Sequence, residues 1–105
     1  MTLPDNIRII DRTYTIKTVL HPMAENGSAI QTGLHDDGTG EITLMTENRG
    51  EKQCISAIWQ TLWHEILHAI NDRMKCDLDE NNIDRLATGI NCVMQDNFNI
   101  PGQVE

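Results

Sequence analysis

The chain has 105 residues, 39% of them hydrophobic and 23% charged, which is the balance of one globular domain spanning 1–105 and not of a disordered chain. Its formal net charge of -8 argues against nucleic-acid binding and against docking on an anionic membrane, because both need a basic surface. No apolar run reaches the roughly 20 residues of a membrane span, and the N-terminus has neither the basic nor the apolar region of a signal peptide.

Three cysteines, Cys54, Cys76 and Cys92, do not form the even, closely spaced set of a disulfide framework. A reduced, cytoplasmic protein is the expectation. The aromatics are few, Tyr14, Trp59, Trp63 and Phe98, so the core is expected to be mainly aliphatic.

Ile7–Ile10 is a short apolar stretch, and Thr13–Val19 alternates apolar with polar residues, the period of a half-buried strand. The two are close enough for a hairpin across Asp11-Arg12. His21-Pro22 breaks the pattern, and Glu25-Asn26-Gly27-Ser28 reads as a loop. Ala29–Leu34 and Glu41–Thr46 read as an antiparallel pair joined by a turn over His35–Gly40 with Asp-Gly at its centre.

Asn48, with Glu51 three residues on, has the spacing of a capping box, so a helix is expected from there to about Met74. Ile55, Ile58, Trp59, Leu62, Ile66, Ala69, Ile70 and Arg73 follow one helical face. Ala57, Thr61, His64, His68 and Asn71 run at the same spacing along another side. Asp77 with Glu80 gives a second cap, and Ile83, Leu86, Ala87, Ile90, Val93 and Met94 form the stripe of a second helix ending near Asn97. A short connection makes the two helices an antiparallel hairpin. The fold expected is α+β: a small antiparallel sheet of three to four strands packed on a two-helix hairpin.

The chemistry concentrates at His64-Glu65-Ile66-Leu67-His68. Histidines four apart stand one turn apart on a helix and can grip one metal ion together. Catalytic zinc takes three protein ligands plus a water, so a third ligand is needed from another element. If the hairpin turn centres near Cys76, His68 lies opposite Asp84 and His64 opposite Thr88. Asp84 is then placed first as third ligand, and Glu80, one turn earlier, second. The one that does not ligate would hold a histidine N–H. Glu80 also has a plainer use as a capping residue. His21 and His35 stand in predicted loops, where a histidine is ordinarily just solvated. His35, beside Asp36 and Asp37, is a candidate for substrate contact or transition-state stabilisation. A closed structural zinc site is disfavoured, because such sites prefer four ligands with cysteine.

Thr61–Ile70, then Ile83–Ile90, then Gln95-Asp96-Asn97, with Gly33–Met45 ahead of them, resemble a minimal zincin. The resemblance is to the small phage- and prophage-type zincin domains, distantly similar to ImmA/IrrE-like peptidases. It implies a zinc-dependent metallopeptidase acting on a peptide or protein substrate, with His64 and His68 as ligands of Zn2+, a downstream acidic residue completing the site, and Glu65 as general base. The departure is in size: full zincin peptidases carry extra segments that form a substrate cleft and a Tyr or His supporting the oxyanion, and no motif here places such a residue. Two other classes of function follow from the same residues: a zinc-binding regulatory or assembly module that cleaves nothing, and a metal-free helical-hairpin interaction domain.

Overall fold

The structure is a computed structural model that describes residues 3–19, 23–24, 30–31, 33–36, 40–48 and 51–98. The expected loop at 25–28, His21-Pro22, the Asp-Gly turn at 37–38, and Pro101-Gly102 lie outside the described residues. Strands β1 (Asn6–Ile9) and β2 (Arg12–Val19) form the expected hairpin, with Ile7 opposite Tyr14 and Ile9 opposite Arg12. After the short pair β3 (Met23–Ala24) and β4 (Ile30–Gln31) come β5 (Gly33–Asp36) and β6 (Glu41–Met45). β5 and β6 are antiparallel, Gly33 opposite Leu44 and Asp36 opposite Glu41.

The architecture is α+β, a four-stranded sheet in the order β1-β2-β6-β5 with two packed helices. It corrects the expectation of a purely antiparallel sheet: β2 and β6 run parallel, Thr15 opposite Glu41 through Val19 opposite Met45. The chain leaves β2, passes through β3, β4 and β5, and returns with β6 inside the sheet. The reason lies in burial. Ile42 and Leu44 are fully buried, and an internal strand between two neighbours is the place that buries them. Gly40, at φ 71°, turns the chain into β6; a Cβ there would meet the Thr13 carbonyl oxygen and the Arg12 side chain at 3.3 Å, and the Gly40 carbonyl accepts from the Thr15 amide at 2.8 Å.

The third strand also differs in extent from the reading of Ala29–Leu34. Pairing with β6 begins at Gly33 and continues through His35 and Asp36, so His35 belongs to a strand and not to a loop.

The helix begins later than Asn48. Glu47–Asn48 (β7) and Glu51–Lys52 (β8) pair as a hairpin, Asn48 opposite Glu51. Asn48 and Glu51 are cross-strand partners, so the Asn-x-x-Glu spacing that reads as a capping box is equally compatible with a hairpin. Helix α1 (Ile55–Met74) is instead preceded by Cys54, with no side-chain cap. Gln53 ties this entry to the end of β6: its amide N–H donates to the Thr46 carbonyl, and its side-chain amide to the Met45 carbonyl, each at 2.8 Å.

One face of the sheet supplies Ile9, Tyr14, Ile42 and Leu44, and α1 lays Ile58, Trp59, Leu62 and Ala69 over them. Each large side chain so buried contributes roughly 1.5–3 kcal/mol. Ile7, Ile16, Ile55, Trp63, Ile66 and Ile70 extend this core at its margin. The rings of Trp59 and Trp63 lie 5.8 Å apart between centroids.

Helix α2 (Glu80–Asn97) packs on α1. Its cap is Asp79, whose carboxylate accepts from the Asn82 amide at 2.8 Å; Asp77, the expected cap, sits in the left-handed region at φ 59°. Ile83 and Ala87 are buried, but much of the contact is polar. Gln60 donates to the Thr88 hydroxyl at 3.1 Å, and Gln95 to the Ser56 hydroxyl at 2.8 Å. The buried Asn91 accepts from Gln95 at 3.0 Å.

Candidate metal centre

The side of α1 turned to α2 carries Ser56, Gln60, His64, His68 and Asn71, spaced at three and four residues. Because Gln60 faces Thr88, His64 faces Asp84 and His68 faces Glu80. This is one helical turn away from the register expected of a hairpin centred on Cys76. The cause is Asn71. Its side-chain carbonyl accepts from the Leu78 amide at 3.0 Å, and its side-chain amide donates to the Leu78 carbonyl at 3.3 Å. Its main-chain carbonyl caps α1 by accepting from the amides of Lys75 and Cys76. The connection therefore folds back over the last turn of α1 before α2 begins, and α2 starts beside His68.

That shift decides which carboxylate meets the histidines. Glu80 spans both: Oε1 lies 2.7 Å from His64 Nε2 and Oε2 lies 3.0 Å from His68 Nε2. The two Nε2 atoms are 3.1 Å apart. Among the described residues, His64, His68 and Glu80 are the group whose ligand atoms converge closely enough to hold one metal ion. Asp84, placed first by the sequence, lies on the other side of the His64 ring, its Oδ1 3.5 Å from Nδ1. Glu80, placed second by the sequence, is the carboxylate that stands against both Nε2 atoms, and Asp84 stands beside His64 Nδ1.

The donor set fits a divalent cation. Tetrahedral zinc bonded at 2.0–2.1 Å separates its ligand atoms by about 3.3 Å; the two Nε2 atoms are 3.1 Å apart, and each meets a different oxygen of Glu80, at 2.7 and 3.0 Å. His64 Nε2 lies 2.7 Å from a carboxylate oxygen of Glu80, a contact that either an imidazole N–H or a bound cation can bridge. Two imidazoles and one carboxylate are also the ligand types of open, catalytic zinc sites. The side chains of His64 and His68 are 19% and 25% exposed and that of Glu80 is 66% exposed, so the triangle opens to solvent through Glu80.

Glu65 occupies another side. It is 7% exposed and stands on the row Ile58, Leu62, Ala69, the row that meets the sheet. Glu65 is not without a partner there, as a buried carboxylate requires. Helical-face spacing puts Ile66 on this row and leaves Glu65 off it; the motif alone singles Glu65 out. The same spacing puts Asn71 on the histidine stripe but does not reveal its part as the clamp of the connection, whose signal is an Asn one turn beyond the second histidine. His35 lies in β5 opposite Ile42, and His21 lies outside the described residues.

Asn71→Ala is expected to lower stability by about 1–3 kcal/mol, since it strips hydrogen bonds from both backbone groups of Leu78. Chemical denaturation measures this. The same variant should weaken zinc binding, although Asn71 touches no ligand.

Among the described residues no helix is long and apolar enough to cross a membrane. Compared with protein-family models, curated proteins and solved structures, the chain matches none.

Proposed function

We propose that the chain is a zinc-dependent peptidase in which His64, His68 and Glu80 hold the metal and Glu65 is the general base. The observation that carries this reading is the convergence of two imidazole nitrogens with the two oxygens of one carboxylate, each contact within 3.1 Å, with a buried glutamate next in sequence to the first histidine. Zinc bound there would supply a Lewis acid and a water acidified towards neutral pH. Glu65 would serve as the general base, accepting a proton from the attacking water and passing it to the leaving amine. Its burial keeps bulk water from competing for the carboxylate. Asp84 stands beside Nδ1 of His64, where it would orient the ring once the metal is bound, and Asn71 keeps Glu80 at the depth of the histidines.

An extended peptide would lie along the sheet as an added strand. β6 is internal, paired with β2 on one side and β5 on the other, so it is not the edge for this. The edge nearest α1 is β5, so the substrate strand is assigned there.

Purified chain is expected to contain one zinc per molecule by elemental analysis and to cleave an unstructured peptide library. Dialysis against a chelator should abolish cleavage, and added zinc should restore it. Zinc-loaded protein that cleaves no member of such a library would favour the zinc-binding regulatory or assembly module instead.

A further inference from the structure

We propose that the outer face of α2 is a self-association surface, on which a second copy of the chain docks antiparallel about a twofold axis between Gly89 and Ile90. Glu80, Ile83, Asp84, Ala87 and Asn91 occupy the side of α2 turned to α1. On the other side Leu86 is 43% and Val93 55% exposed, two turns apart with the half-buried Ile90 between them. They form one apolar stripe, and such a stripe is the part of a helix that packing normally covers.

Gly89 lies in the same stripe. Glycine is among the poorest helix formers, so its place in mid-helix asks for a reason. A Cβ at Gly89 would meet nothing within 4 Å, so packing inside the chain does not require glycine. A second helix crossing closely at this point does.

Charge identifies the occupant. Arg85 and Asp96 are both exposed, lie on one flank of the stripe about three turns apart, and have no ion-pair partner among the described residues. An antiparallel twofold that lays Leu86 on Val93 of the second copy also brings Arg85 beside Asp96 of that copy, and the reverse. The surface is complementary to itself, as a twofold contact requires. The net charge of -8 opposes association at low salt. At 0.15 M salt, charges more than about 8 Å apart are largely screened, and the apolar stripe is not.

A contact of one helical stripe is small, so the dimer should be concentration-dependent, with dissociation in the micromolar range or weaker. Sedimentation equilibrium of the full chain at 0.15 M salt tests this, with a chelator present to prevent metal bridging through Glu80. The expected mass rises with concentration from 11.9 kDa towards twice that value. Val93→Asp and Arg85→Glu should each weaken the dimer about tenfold or more, and adding Asp96→Arg to Arg85→Glu should restore it. Circular dichroism on each variant separates loss of contact from loss of fold. A monomer throughout, or a dimer indifferent to Val93→Asp and Arg85→Glu, overturns the proposal. Failure of the double reversal to restore association overturns the antiparallel pairing.

Discussion

Glu80→Gln is expected to abolish tight zinc binding while leaving both helices in place. Glu80 is exposed, so its replacement costs the fold little, but the amide has lost the charge that completes the donor set. We expect affinity to fall by well over a hundredfold, because a ligand is removed outright. Asp84→Asn should fall only about 10–100-fold, the usual effect of a group that orients a ligand without binding the metal. Competition with a chromophoric chelator, read at fixed pH, ranks the two. The reverse ranking would return Asp84 to the ligand position and require the helix register to differ by one turn.

Glu65→Gln separates chemistry from metal binding. The variant should retain one zinc per chain, since the ligands are untouched. Turnover should fall about 10²–10⁴-fold, the range for losing a general base, with KM little changed. The diagnostic is the combination: zinc retained and turnover lost. Full activity in a zinc-loaded Glu65→Gln would remove this residue from the mechanism.

The sequence could be read far where one period dominates. The alternation of Tyr14 and Ile16 with Thr13, Thr15 and Lys17 marks β2, and the 3- and 4-residue spacing from Ile55 to Met74 marks α1 together with the side on which the histidines fall. It could be read less well where two local codes share one spelling. Asn48-Arg49-Gly50-Glu51 is both a cap and a hairpin, and only the pairing of Glu47 with Lys52 decides between them. The direction of β6 relative to β2 depends on contacts distant in the chain, to which a period of two is blind. That Glu80 and not Asp84 stands against both Nε2 atoms has a similar source. Helical spacing told which residues share a face, but not how far α2 is displaced along α1, and that displacement rests on two hydrogen bonds from one amide side chain.

Those two bonds divide the connection into parts with different tolerance to change in length. Residues between Lys75 and Leu78 lie upstream of the point where the chain is pinned, so an added residue there can bulge outward while Leu78 stays on Asn71. Between Leu78 and Glu80 there is no such freedom. One residue inserted at Asp79 would displace Glu80 from the histidines by a rotation of about 100° or a shift of about 1.5 Å along the helix, with Leu78 unmoved. Length variation in related chains, or in a library of insertions, should therefore accumulate on one side of Leu78 and be excluded on the other.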